Sequence, residues 1–298
     1  MQRIATVAYA DIFEYPLNQE EIYRWWIGDS KTATKRLNSE SPYIDAAQGY
    51  FFLKGRHDTI RRRLMRAKYS GLKWQQAHDL IAPLRSIASI ELVGISGGLS
   101  MYNADLEDDI DLFIICSSGT AWVTRLLATF FFDIASRRRR PKSQRVADQV
   151  CLNMFVSLDA LTLPESERDL YAAHEVLQMT PVFARKRVYE SFLMKNRWVK
   201  KYLPNAWSWS AKRRPMYDIG SDIDVVRPLL LPFLRCIEPL LRAVQIWYMR
   251  ARITREVISR SVIRFHPHDA RTRVRREFHI RGQQLDIPLD KVFWQLLK

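Results

Sequence analysis

Residues 92–116 read LVGISGGLSMYNADLEDDIDLFIIC, and their interpretation sets the fold. The apolar run at 90–95 predicts a buried strand. Ser96, Gly97 and Gly98 end that run, and adjacent glycines permit positive φ and close approach of a ligand to the backbone. Residues 99–104 have helical character, and 109–115 predict a second strand. Strand alternation places Ile110, Leu112 and Ile114 on one face and Asp109 and Asp111 on the other. Two neighbouring carboxylates repel and resist burial unless a cation sits between them. Hard divalent cations such as Mg²⁺ take carboxylate oxygens together with substrate phosphates. A glycine turn offers backbone N–H groups to phosphate oxygens. The stretch therefore predicts a nucleoside triphosphate site, with Asp109 and Asp111 as metal ligands. Ser96, Gly97, Gly98 and Ser100 are the expected phosphate-binding residues. The plainer alternative is an acidic surface strand after a glycine loop.

Gly97-Gly98, the spacer at 99–108 and Asp109-Ile110-Asp111-Leu112 resemble the signature of the DNA polymerase beta-type nucleotidyltransferase superfamily. That signature is an apolar residue, Gly, Gly or Ser, roughly nine to thirteen spacer residues, then Asp-x-Asp in a strand. The resemblance covers residues 92–115. It implies transfer of a nucleoside monophosphate, AMP from ATP, with Mg²⁺ as cofactor. It also implies a third carboxylate on the next core strand, serving as metal ligand or base. The expected counterpart is VCLNMFV at 150–156. If Leu152, Met154 and Val156 pack inward, Asn153 stands where that carboxylate would be. An amide cannot accept a proton as a base, so Asn153 is expected to line the acceptor side. Asp148 and Asp159 flank the strand. The segments DIFEYPL, GYFFLKGR and CLN are similar to bacterial proteins that join a winged helix to a nucleotidyltransferase domain.

The predicted fold class is α/β (α+β), with a small mixed-sheet nucleotidyltransferase core. Residues 1–55 predict a winged helix-turn-helix, 56–88 a linking helix, 89–160 the core, and 161–298 a helical C-terminal domain. In the first unit Asn18 is placed to cap a helix. A third helix is expected over 31–38, presenting Lys31, Lys35 and Arg36, and a β-hairpin over 43–53. Trp25 and Trp26 suggest burial or a partner surface, which favours an interaction or substrate-presenting module over duplex reading. Arg61, Arg62 and Arg63 read as a solvated face of the linking helix. Thr120 is placed to cap a helix over 121–136, followed by a basic loop at 137–142 that suits phosphate or RNA contact, or disorder. Helices are expected over 166–179, 183–202 and 235–265.

The chain has 298 residues, 47% hydrophobic, and a net charge of +15, which excludes global disorder and favours polyanionic partners, nucleotides or nucleic acid above all. A merely solvated basic surface is the alternative. Cys116, Cys151 and Cys236 are dispersed and odd in number, consistent with reduced, buried thiols in a cytoplasmic protein. The first residues lack the apolar stretch of a signal peptide, and no apolar run is long enough to span a bilayer.

Residues 220–226, GSDIDVV, imitate the motif but lack its preceding strand and spacer and read as a loop closed by Pro228. His266 and His268 have no reliable zinc spacing. Ser96, His174 and Asp133 lack the nucleophile elbow of a serine hydrolase. Two competing functions remain: the enzyme, and a catalytically impaired relative that binds nucleic acid or regulates, with an antitoxin role as a further variant.

Overall fold

The computed structural model describes residues 1–33, 41–139, 147–218, 222–250, 257–264 and 270–285. The N-terminal module comprises helix Gln2–Asp11 (α1), strand Leu17–Asn18 (β1), helix Gln19–Arg24 (α2) and strands Ile44–Ala47 (β2) and Tyr50–Leu53 (β3). Asn18 forms a capping box: its Oδ1 accepts from the Glu21 N–H at 2.8 Å, and its own N–H donates to Glu21 Oε2 at 2.9 Å. The hairpin turns through Gln48 (φ 52°) and Gly49 (φ 79°), the left-handed pair that matches strand twist. The three strands lie in the order β1-β3-β2. Of the third helix expected at 31–38, the structure gives a 3₁₀ turn, Ser30–Thr32. Lys35 and Arg36 lie outside the described residues.

Helix Asp58–Ile81 (α3) follows. Of the run expected to face solvent, Arg61 and Arg62 are exposed and Arg63 is mostly covered. Arg62 pairs with Glu14, Arg63 with Glu21 at 2.6 Å, and Arg66 with Glu14 at 3.1 Å and Asp105 at 3.0 Å. The Arg63 guanidinium also covers the Tyr15 ring, 3.8 Å from its centroid. The helix thus grips the N-terminal module with one set of side chains and the residue 99–108 segment with another. Lys73 is buried, 2% exposed. Its ammonium donates to the Leu106 and Asp108 carbonyls at 2.8 Å each and to Asp148 Oδ1 at 2.7 Å. All three ammonium protons are thereby used.

The remaining elements are strand Ile90–Ile95 (β4), helix Gly97–Ser100 (α4), strand Ile110–Cys116 (β5), helix Ala121–Ile134 (α5), strand Val150–Ser157 (β6), helix Leu170–Gln178 (α6), strand Thr180–Ala184 (β7), helices Val188–Lys195 (α7) and Pro204–Ser210 (α8), strand Tyr217–Asp218 (β8), helix Asp222–Met249 (α9), strands Val257–Ile258 (β9) and Val262–Arg264 (β10), and helix Ala270–Gln284 (α10). The fold is mixed α/β. The main sheet has the order β8-β7-β4-β5-β6-β10-β9. β5/β6 and β7/β8 are parallel and the other pairs antiparallel. Ile110, Leu112 and Ile114 pack on one face with Trp122 and Phe132 of α5. Phe113 and Ile115 pack on the other with α6, α10 and the N-terminal module. No helix among the described residues is long and apolar enough to cross a membrane.

Four expectations are corrected here. Residues 161–298 are not a purely helical domain, because they supply β7, β8, β9 and β10 to the sheet. The strand at 180–184 lies where a helix over 183–202 was expected to begin. Buried strands lose the alternation that marks a half-exposed one, and four of these five residues are buried. Residues 1–55 are not a separate unit, since Tyr9, Trp25 and Trp26 share one core with Leu92 and Phe113. Finally, Asp222–Val226 is helical rather than a loop, and α9 carries Pro228, Pro232 and Pro239 in its interior.

The start of α5 is capped from a distance. Thr120 makes no side-chain cap. Instead Glu238 of α9, 2% exposed, accepts from the Trp122 and Val123 N–H groups at 2.8 Å each. A carboxylate at a helix N-terminus satisfies orphan donors and meets the positive end of the dipole.

Replacing Lys73 by Met is expected to cost about 3 kcal/mol, because two carbonyls and a carboxylate lose their buried partner. Urea denaturation measures this, and a loss below about 1 kcal/mol would show that the loop before Asp109 does not depend on the ammonium.

Candidate active site

The glycine turn is built against the aspartates. Ser96 is extended, and Gly97, with φ 65°, bends the chain. A Cβ on Gly97 would lie 2.6 Å from Asp111 Oδ2, so glycine is required for space as well as for φ. The Ser96 N–H donates to the Asp111 carbonyl at 3.0 Å, binding turn to strand. The segment between them is held from outside. Trp74 Nε1 donates to the Leu99 carbonyl, the Tyr15 hydroxyl to the Met101 carbonyl, and Asn103 Nδ2 to the Phe13 carbonyl, each at 3.0 Å.

The carboxylates meet side chains from β6. Asp111 stands opposite Cys151, but Phe113 stands opposite Met154, so β6 carries an extra residue at this point. The irregularity changes the expected parity: Leu152 packs into one core, and Met154 and Val156 into the other. Asn153 still reaches the site, its Nδ2 donating to Asp111 Oδ1. The Cys151 thiol donates to Asn153 Oδ1 at 2.8 Å. Arg139 Nη1 donates to Asp109 Oδ2 at 2.5 Å. One ligand atom each from Asp109, Asp111 and Cys151 lies within 4.8 Å of the others.

Burial, and then the nearby charge of Asp109, push the Asp111 carboxyl up to about 8. Burial and the two carboxylates also push the Cys151 thiol up. Near neutrality the group holds a proton rather than two full negative charges. A divalent cation would release that proton. Two carboxylate oxygens suit a hard ion such as Mg²⁺, whereas the protonated thiol is no ligand.

Ser96, Gly97, Gly98, Asp109, Asp111 and Asn153 all line one cavity of about 940 Å³. Ser100 does not: its hydroxyl donates to the Gly97 carbonyl at 2.8 Å and closes the turn. Asp148 and Asp159 are also elsewhere, the first on Lys73 and the second accepting from the Ser157 and Ser261 hydroxyls. Arg138 pairs with Asp133 at 2.9 Å, so the basic loop begins as a paired segment, and residues 140–142 of it lie outside the described set.

Arg139 belongs to the basic loop that the sequence marked for phosphate contact, whereas Cys151, His174 and Glu175 were not singled out as site residues from the sequence. Cys151 stands two residues from Asn153 and could have been found by alternation. Glu175 had no signal, because it comes from α6, which packs against the short helix α4. It lines the cavity, and withdrawal from water raises its pKa to about 7 against the opposing pull of Arg271. His174 lies against the Tyr9 ring at 4.0 Å and the Trp25 ring at 5.5 Å. Burial lowers its pKa to about 4, so it is neutral. Its Nδ1 lies 2.9 Å from the Leu170 carbonyl and therefore carries the proton, which leaves Nε2 an acceptor.

No family model, curated protein or solved structure matches the chain.

Gly97→Ala is expected to cost about 2 kcal/mol or more and to weaken Mn²⁺ binding, since both φ and Asp111 oppose the methyl group. Gly98→Ala is milder, its added carbon meeting the Asn103 carbonyl at 3.3 Å without a positive φ. Equal effects of the two substitutions on stability and metal affinity would contradict this geometry.

The Asp111 carboxyl also predicts a pH dependence. It ionises near about pH 4 when unfolded but at about 8 when folded. Its contribution to stability is complete below the unfolded value and is lost as pH rises through the folded one. In buffer without divalent ions, Asp111→Asn should therefore gain on the wild type steadily across that window and no further above it. Urea titrations over the range read this directly, and a pH-independent difference would count against it.

Proposed function

We propose that the chain is a metal-dependent nucleotidyltransferase that moves a nucleoside monophosphate, AMP from ATP, to a hydroxyl-bearing acceptor. The observation that carries the reading is the glycine turn packed onto Asp111, with Asp109 beside it, on the wall of a cavity large enough for a nucleotide. Mg²⁺ held by Asp109 and Asp111 would neutralise charge on the α-phosphate and on the departing pyrophosphate. The Ser96 hydroxyl and the backbone of Gly97 and Gly98 hold the phosphates. Arg139, close to Asp109, sets a positive charge where the pyrophosphate develops its own. Asn153 fixes the Asp111 carboxylate through its amide and lines the acceptor side. The acceptor oxygen forms a bond to the α-phosphorus as the bond to pyrophosphate breaks. Glu175 takes the hydroxyl proton, supplying the base that an amide at position 153 cannot be.

The N-terminal module supports a winged-helix reading through its element order and hairpin. Here it serves as a wall of the cavity rather than as a DNA reader, because Tyr9, Phe13 and Trp25 face that way. The chain is proposed to work in the cytoplasm, in keeping with its free thiols.

The competing reading, a catalytically impaired regulator, is favoured by Asn153 alone. Incubation with α-labelled ATP, Mg²⁺ and cell extract separates the two. The enzyme transfers label, and the double change Asp109→Ala with Asp111→Ala lowers transfer by about 10³-fold or more. Tight, salt-sensitive duplex binding without transfer would establish the regulator instead. Glu175→Gln should depress turnover and remove the rise in rate near its pKa, whereas Cys151→Ser should leave turnover within about twofold.

A further inference from the structure

We propose that the acceptor is a small organic molecule with an apolar body, bound between the N-terminal module and α6, and not a nucleic acid or a protein. This inference rests on the transferase reading and adds the class of its second substrate.

The cavity is at the upper end of the size range in which one drug-sized ligand sits, so it has room for a nucleotide and a second molecule. Its polar residues gather around the glycine turn and aspartates. Much of the remaining wall is apolar and aromatic, including Phe13, Leu161, Tyr171, Met179 and Phe192. A polynucleotide acceptor needs cationic side chains that track its backbone. Among the described residues, four arginines line this cavity: Arg139 serves the nucleotide phosphates, Arg264 pairs with Glu167 at 2.7 Å and Arg271 with Asp169 at 3.4 Å, which leaves the exposed Arg273 as a single cation, too few to track a backbone. An apolar body instead gains from burial in proportion to the surface that it removes from water.

The wall also indicates polar groups on that body. His174 lines the cavity, 4% exposed, and with its Nδ1 proton given to the Leu170 carbonyl its Nε2 is left an acceptor. The acceptor molecule is therefore one whose apolar frame carries a hydrogen-bond donor, which the hydroxyl that attacks the α-phosphate or a second polar group can supply.

The test uses the full chain, α-labelled ATP and Mg²⁺ with three fractions of cell extract: small molecules, nucleic acid and protein. Label is expected in the small-molecule fraction, in a product that resists nuclease and protease and partitions into butanol. Ala10→Phe and Ala172→Phe fill the cavity from α1 and α6 respectively. At least one should fold cooperatively, bind ATP as the wild type does and transfer about tenfold less label to that product. Label on a nuclease- or protease-sensitive product overturns the acceptor class while leaving nucleotidyl transfer intact. Unchanged transfer by two folded filling variants also overturns it. No label in any fraction, with wild type and the aspartate double variant alike, removes the transferase reading and this inference with it.

Discussion

Two carboxyl groups held side by side in a poorly hydrated place, where both cannot carry full charge unaided, are the constraint around which this molecule is arranged. Asp109 and Asp111 repel, and burial opposes the ionisation of Asp111. The surroundings answer from several elements. Arg139 approaches one carboxylate, and the Asn153 amide donates to the other. Gly97 leaves out the carbon that would strike Asp111, and Lys73 ties down the loop that delivers Asp109. None of these four residues would be needed at an ordinary surface strand.

The N-terminal module belongs to the same arrangement. The arginines of α3 bind Glu14 and Glu21 on one side and Asp105 on the other. Exposed ion pairs of this kind contribute little singly. These are partly buried and linked, and they hold the cavity wall and the glycine segment in one frame. Asp11 joins Arg56 at 3.0 Å and Arg281 at 2.9 Å, so the first helix is also bonded to the last one described.

Much of the centre was legible from the chain alone. The strand, glycine turn and aspartate strand of residues 90–116 stand where periodicity put them, and the Asn18 cap and the hairpin follow from local chemistry. Legibility ended where distant residues decide. Thr120 is a plausible cap by composition, yet Glu238, over a hundred residues away, takes that role. In the arginine run of α3, Arg61 and Arg62 stay exposed as composition suggests, but Arg63 is covered by Tyr15 and Glu21, which only folding brings near. Residues 180–184 conceal a strand because burial on both faces removes alternation. Three prolines argue against a helix at 222–249, yet α9 continues through them, with Glu238, Gln245 and Met249 on its buried side. Glu175 reaches the site through helix packing that no local pattern encodes.

The order of strands in the main sheet bears on how the protein is made. The centre pairs β4 with β5 and β7, and β6 is completed only by β10, whose residues are 262–264. Arg264 and Arg271, on and beyond that strand, also border the cavity. Domains tend to fold as units while the chain emerges from the ribosome, but here the aspartates are synthesised long before their enclosure exists. A nascent chain released before residue 262 would display the acidic strand without its surroundings, so competence waits for β10 and the residues after it, and a chain that stops short of them is no partial version of the site.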